Sequence, residues 1–138
     1  MTRGLIHHLD LTIVDPKASR PFYEAVLGFL GYRVSYEEEG RGYDFDLRTP
    51  DGIFSSIGIR IGEGPHAMRA HDRYSPGMHH AAFQAESRAD VDALYALLQR
   101  IGANVTDPPA DYPQYGKGYY AVFFSDPDGL KLEYVYLP

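Results

Sequence analysis

Residues 118–136 read GYYAVFFSDPDGLKLEYVY, a stretch that predicts two strands joined by a tight turn. Aromatic and β-branched residues fill both strands, and the turn falls at 126–129, where proline fixes φ and glycine tolerates a positive φ. Glu133 is a lone carboxylate in a strand whose only other charge is Lys131. Because a buried charge is costly without a partner, we expect Glu133 to meet a cation, and a metal ion is one such partner.

Length and composition narrow the classes of function. The 138 residues suffice for one compact domain, or for two small modules that share a core. The formal net charge of −6 and the lack of a basic cluster disfavour a nucleic-acid partner. The absence of cysteine excludes disulfides, thiolate metal sites and cysteine nucleophiles. Apolar runs fall far short of the roughly 20 residues that span a bilayer, and no signal-peptide pattern is present, so we expect a cytoplasmic protein without a membrane partner.

The predicted elements follow the same order in both halves of the chain. The first half predicts a strand, a helix and three strands at 6–14, 16–30, 32–37, 43–48 and 53–61. The second half predicts the same series at 78–85, 88–101, a strand beginning at 103, 119–125 and 130–136. This order predicts an α+β fold of two βαβββ modules, at about 4–61 and 78–137, in one domain covering 1–138.

Spacing within the two halves supports a duplication. His8 lies seven residues before the predicted helix cap Asp15, and His80 lies seven residues before the predicted cap Ser87. The Pro-Asp-Gly turn also occurs in both halves, at 50–52 and at 127–129. Counted from that turn, Ser56 in the first module occupies the place that Glu133 occupies in the second.

Two His-His pairs supply candidate metal ligands. Successive strand residues point to opposite faces, and His8 and His80 share their faces with mostly polar or small side chains, unlike His7 and His79. If the modules face each other, His8, His80 and Glu133 converge. Two imidazoles and a carboxylate suit Fe, Mn, Zn, Ni or Co as divalent ions. In the alternative, both histidines are ordinary strand residues and Glu133 pairs with Lys131 or an arginine; the matched spacing favours the metal.

The order of the motifs resembles a known family. The motifs are HLDLTIVD at 8–15, FY at 22–23, LGF at 27–29, HAAF at 80–83 and DPDGLKLE at 126–133. This pattern resembles the vicinal oxygen chelate superfamily, which includes glyoxalase I, extradiol dioxygenases, fosfomycin-modifying thiol transferases and bleomycin-resistance proteins. The resemblance implies a curved, incomplete β-barrel with one main helix per repeat on the outside. It also implies one divalent metal ion held by His8, His80 and Glu133, and a small-molecule substrate that chelates it through two vicinal oxygens.

The reaction stays open. Glyoxalase I enzymes carry a fourth protein ligand where this chain has Ser56, and a serine hydroxyl is a poor ligand for such ions. A dioxygenase, a lyase or isomerase, and a fosfomycin-type thiol transferase all remain compatible with the pattern. The rival from another class is a metal-free ligand-sequestering protein of the bleomycin-resistance type. Because a pair of such modules often dimerises, we expect a homodimer.

Two further features concern substrate binding. Tyr119 and Tyr120 straddle a strand, so one of them should face the cleft; we predict Tyr120, together with Ser56, as substrate-binding residues, although sheet packing is an alternative for the tyrosine. The proline-rich segment 106–118 is either a mobile lid over the cleft or a stiff connection.

Overall fold

The computed structural model describes residues 3–138, which form two compact units dividing between Arg69 and Ala70. Residues 1 and 2 of the predicted domain 1–138 lie outside the described residues. The elements of the first unit are β1 (His8–Ile13), α1 (Pro16–Phe29), β2 (Arg33–Glu38), β3 (Gly42–Arg48) and β4 (Phe54–Ile61). Those of the second are β5 (Ala81–Gln84), α2 (Arg88–Arg100), β6 (Asn104–Asp111), β7 (Tyr120–Ser125) and β8 (Lys131–Tyr136).

Each unit contains one open four-stranded sheet. The strand order is β1-β4-β3-β2 in the first unit and β5-β8-β7-β6 in the second. In both, the first strand of the unit pairs in parallel with the last, and the other pairs are antiparallel. Two βαβββ repeats with one main helix each are therefore confirmed. Between residues 3 and 138, no helix is long and apolar enough to cross a membrane.

The predicted caps begin both helices. The Asp15 carboxylate accepts hydrogen bonds from the backbone N–H groups of Lys17 and Ala18, at 3.0 and 3.2 Å. In α2, the Ser87 hydroxyl accepts from the backbone N–H of Asp90 at 3.1 Å. The helices bury their apolar faces on the sheets, and the side chains at the centre of each core are 2% exposed or less: Ile13, Tyr23, Val26, Leu27, Phe45 and Ile59 in the first unit, and Val91, Leu94, Leu98, Val122, Phe124 and Leu132 in the second.

The turn at 126–129 fixes the register of the closing hairpin. The Asp126 carboxylate accepts hydrogen bonds from the backbone N–H groups of Asp128 and Leu130, at 2.9 and 2.8 Å, and Gly129 adopts a φ of +85°. Strands β7 and β8 consequently pair so that Phe123 lies opposite Glu133. The two side chains therefore emerge on the same face of the sheet.

Most element boundaries differ from the sequence predictions by one or two residues, and two differences affect the candidate site. The strand predicted at 78–85 begins at Ala81, so His80 precedes β5 instead of lying within it. Strand β6 extends through Pro108 and Pro109 to Asp111, so the first half of segment 106–118 is neither a lid nor an irregular connection. Proline is tolerated there because β6 is an edge strand, and its register shifts twice along the pairing with β7.

Candidate active site in the second unit

A buried carboxylate lies at the centre of the candidate site. Glu133, on β8, is only 2% exposed. The Tyr119 hydroxyl donates a short hydrogen bond to its Oε1, and His80 Nε2 lies 3.1 Å from its Oε2. Both oxygens thus have polar neighbours, which a carboxylate removed from water requires. Among residues 3–138, the basic side chain placed at Glu133 is the imidazole of His80, and the alternative pairing with Lys131 or an arginine is not formed.

His80 reaches Glu133 diagonally across neighbouring strands. The Cα partner of Glu133 is Ala82, two residues after His80, and side chains two residues apart share a face of the sheet. The imidazole of His80 stays accessible, with 34% of the side chain exposed. Its Nδ1 lies 2.8 Å from Nδ1 of His79. The Glu133 carboxylate is therefore buried, whereas the His80 imidazole beside it is accessible to solvent.

A cleft of about 560 Å³ opens beside this pair. Its lining residues, all in the second unit, are His79, His80, Asp107, Tyr112, Tyr115, Tyr119, Phe123, Lys131 and Glu133. The rings of Tyr112 and Tyr115 stack at 5.8 Å with an interplanar angle of 17°, and Lys131 Nζ lies 4.6 Å from the centre of the Phe123 ring. The cleft thus combines flat aromatic walls with a cation and a carboxylate–imidazole pair, the mixture typical of small-molecule sites.

The local environment keeps the cleft tyrosines protonated. Burial, and then the hydrogen bond to Glu133, raise the pKa of Tyr119 well above its ordinary value. Burial also raises the pKa of Tyr112, with Asp107 and Tyr115 adding to the effect. Tyr119 is therefore a neutral hydrogen-bond donor at physiological pH. Desolvation lowers the pKa of His79, and nearby basic groups lower it further, with the strongest of these effects coming from Arg73.

The two adjacent tyrosines, Tyr120 at the start of β7 and Tyr119 just before it, point to opposite sides of the sheet. Tyr120, predicted to bind substrate, donates its hydroxyl to Asp92 of α2 at 2.6 Å, and the Arg88 guanidinium lies 3.9 Å from its ring centre. Tyr119 lines the cleft instead. The sequence contains a signal for Tyr119 in the turn at 126–129, which sets Phe123 opposite Glu133. Tyr119 lies four residues before Phe123, so its side chain points to the same side as those of Phe123 and Glu133.

The remaining predicted residues, His8 and Ser56, belong to the first unit. They are Cα partners in the parallel pairing of β1 with β4, so their side chains share a face of that sheet. This register differs by two residues from the second unit, where Glu133 pairs with Ala82 and not with His80. The His-His pairs of the two units are more alike. The Nδ1 atoms of His7 and His8 lie 3.1 Å apart, compared with 2.8 Å for His79 and His80.

The donor set fits part of a metal site. Glu133 and His80 provide a carboxylate oxygen and an imidazole nitrogen side by side, a combination suited to a borderline divalent ion. Across residues 3–138, no group of three or more histidine, aspartate or glutamate side chains is arranged to hold a metal ion. The convergence of His8 with this pair stays a prediction.

Comparison with known proteins identifies the family. The profile of the Glyoxalase/Bleomycin resistance protein/Dioxygenase superfamily matches residues 5–134. YqjT of Bacillus subtilis is 33% identical over 130 residues, covering 94% of this chain and 97% of YqjT. The crystal structure of a candidate glyoxalase from Bacillus halodurans has a TM-score of 0.76 at 27% identity, covering 99% of this chain and 98% of that one. A lactoylglutathione lyase from Agrobacterium tumefaciens shares the fold, with a TM-score of 0.64 at 20% identity over 99% of this chain and 96% of its own. The chain belongs to the glyoxalase/bleomycin resistance protein/dioxygenase superfamily, also called the vicinal oxygen chelate superfamily.

Proposed function

We propose that this protein is a divalent-metal-dependent enzyme of the glyoxalase/dioxygenase type. Its substrate is a small molecule that chelates the metal through two vicinal oxygens, and the metal ligands are His8, His80 and Glu133. The observation that carries the proposal is the buried carboxylate of Glu133, with His80 Nε2 at 3.1 Å, in the lining of an aromatic cleft. When bound, the metal ion would act as a Lewis acid that polarises the substrate oxygens.

The protein's own groups prepare the cleft for such a ligand. The neutral Tyr119 hydroxyl holds Oε1 of Glu133, so that Oε2 is directed at His80. Carboxylates and imidazoles that bind metals are usually oriented by hydrogen bonds of this kind. Tyr112, Tyr115 and Phe123 supply apolar surface that limits water around the reacting groups.

Two alternatives are supported more weakly. The stacked pair of Tyr112 and Tyr115 offers a flat surface on which a metal-free, sequestering protein of the bleomycin-resistance type could hold a planar ligand. A thiol transferase resembling the fosfomycin-resistance enzymes would use the same three metal ligands. The first alternative predicts no metal, and the second predicts metal together with a thiol co-substrate.

Metal analysis separates the enzyme from the sequestering protein. Wild-type protein purified without chelators should contain about one divalent ion per chain, and His80→Ala should lose it. His66→Ala is the matched control, because His66 lies in the junction between the modules, is exposed, and is absent from the cleft lining. Absence of metal from the wild type after reconstitution with Fe, Mn, Zn, Ni and Co would refute the proposal. Equal loss in both variants would refute the role of His80.

The assembly and location form a separate part of the proposal. We expect a cytoplasmic homodimer in which residues 4–61 and 78–137 act as one domain. Size-exclusion chromatography with light scattering measures the mass in solution, and a monomer at micromolar concentration would contradict the homodimer.

A further inference from the structure

A second cavity, of about 270 Å³, adjoins the cleft in the second unit. Its lining residues are Arg73, Asn104, Thr106, Asp107, Ser125, Gly129 and Lys131. Asp107 and Lys131 line the cleft as well, so the two spaces share a wall. The second cavity therefore lies next to the cleft that contains Glu133.

Two positive charges, Arg73 and Lys131, line this cavity, and neither forms an ion pair with a carboxylate of residues 3–138. In residues 3–138, the arginine side chains that form ion pairs with carboxylates are Arg20, Arg41, Arg60 and Arg88. Arg73 instead donates to the Tyr74 hydroxyl at 2.5 Å, and Lys131 lies over the Phe123 ring. Asp107 lines the same cavity, so two cations face one carboxylate there and a net positive potential remains, in a chain with 13 basic and 19 acidic residues.

Neutral polar groups line the same cavity. The Asn104 side-chain amide donates to the Ser125 hydroxyl at 2.8 Å, which fixes the orientation of both groups. Ser125 is 7% exposed, and its hydroxyl carries a proton of its own that it can donate. A guanidinium, an ammonium and hydroxyl donors around one space are the groups that recognise a carboxylate or a phosphate.

We propose that this second cavity, the anion pocket, binds a carboxylate or phosphate group of the substrate. The assignment to the substrate rests on the proposed function, whereas anion binding by the pocket does not. The substrate class is then a small organic acid or phosphate ester that places two vicinal oxygens near His80 and Glu133 and its anionic group between Arg73 and Lys131. Asp107, on the shared wall, opposes the anion and so tunes the affinity.

Anion titrations of the metal-free protein test the pocket. Inorganic phosphate and acetate are titrated separately and followed by NMR chemical shifts. We expect the wild type to bind at least one probe, and Arg73→Gln combined with Lys131→Gln to weaken that binding about tenfold or more. Asp107→Asn should tighten it. Arg100→Gln, which removes an exposed arginine at the end of α2, is the matched control and should bind like the wild type.

The outcomes separate the two sources of the anion and the two proposals. Tighter binding of phosphate indicates a phosphate ester, and tighter binding of acetate indicates a carboxylic acid. No shift with either probe, or equal weakening in Arg100→Gln, would overturn the anion pocket even if metal binds as proposed. Phosphate or acetate binding by a wild type that takes up no metal would leave the pocket standing and remove the proposed function. Arg73→Gln alone, checked for cooperative thermal unfolding, repeats the test if the double variant fails to fold.

Discussion

Replacing Tyr119 with phenylalanine removes a single hydroxyl from the cleft and tests how Glu133 is held. That hydroxyl is a neutral donor to Oε1 of Glu133, a carboxylate that is only 2% exposed. Leaving a buried acceptor short of a donor costs about 1–3 kcal/mol, so we expect Tyr119→Phe to lower the free energy of unfolding of the metal-free protein by that amount.

Tyr120→Phe is the matched control because it removes the same atom one residue away, on the side of the sheet that faces α2. The Tyr120 hydroxyl donates to Asp92, an exposed carboxylate of α2 that water can solvate after the change. The expected cost is below about 1 kcal/mol. Urea unfolding of both variants and the wild type measures the difference, and equal losses would show that Glu133 is not specially dependent on Tyr119.

Metal affinity gives the second readout for the same pair of variants. If Glu133 is a ligand, loss of the group that orients it should weaken binding about 10- to 100-fold, as removal of such hydrogen bonds does in other metal sites. Titration with Co²⁺, followed by its visible absorption bands, measures both the affinity and the coordination. Tyr120→Phe should bind like the wild type. An unchanged or higher affinity in Tyr119→Phe would refute the positioning role, since it would mean that Oε1 is better left unbound.

Three further changes probe the rest of the fold and site. Ser56→Glu places a carboxylate beside His8 on the same face and should tighten metal binding by supplying a fourth ligand; titration with Zn²⁺ measures it, and unchanged affinity would argue against His8 as a ligand. Burial and the hydrogen bond to Asp90 raise the pKa of Tyr134, so its stabilising contribution is complete below its ordinary value of about 10 and is lost as the pH rises toward the folded-state value. Urea unfolding from neutral to alkaline pH should therefore show a smaller loss of stability in Tyr134→Phe than in the wild type, and parallel curves would contradict this cause. Asp15→Ala should lower the free energy of unfolding by about 1 kcal/mol through loss of the α1 cap; no change in a urea titration would contradict the capping role.

Local chemistry explains why much of the fold was predictable from the sequence. Asp15 and Ser87 begin helices because their side chains satisfy backbone N–H groups within three residues, and such interactions can be read from a short segment. The turn at 126–129 is local in the same sense. The path of β6 through Pro108 was not predictable, because only the pairing order reveals that β6 is an edge strand where proline is tolerated.

The candidate site was predictable only where one hairpin or one strand pair defines it. Glu133 was identified as an anomalous charge, and its nearness to His80 follows from the parallel pairing of β5 with β8. The choice between Tyr119 and Tyr120 depends on the register of the hairpin. Two adjacent tyrosines show only that one of them faces the cleft, and the register is needed to say which one. The anion pocket could not be predicted, because Arg73 reaches it from a loop with no periodic pattern.

The polar face of the first unit explains why the second unit carries most of the proposed chemistry. Arg60 Nη2 lies 2.6 Å from Asp44 Oδ1 and 3.5 Å from Asp10 Oδ2, so one cation is shared by two carboxylates. This arrangement requires glycine at position 58, where a Cβ would lie 2.2 Å from Asp10 Oδ1. Charges already committed to one another have little to offer a ligand.

The equivalent strands of the second unit leave their charges uncommitted. Among the residues that the structure describes, Glu133 has a neutral hydroxyl and an imidazole as polar partners, and Lys131, two residues before it, lies over an aromatic ring. The two units therefore share a strand arrangement but differ in their charges: those of the first unit pair with each other, and Glu133 and Lys131 of the second unit do not form ion pairs with oppositely charged Asp, Glu, Lys or Arg side chains. An incoming metal ion or anion gains most where the protein has not already neutralised its own groups, which is why both proposals concern the second unit and require from the first only the exposed imidazole of His8.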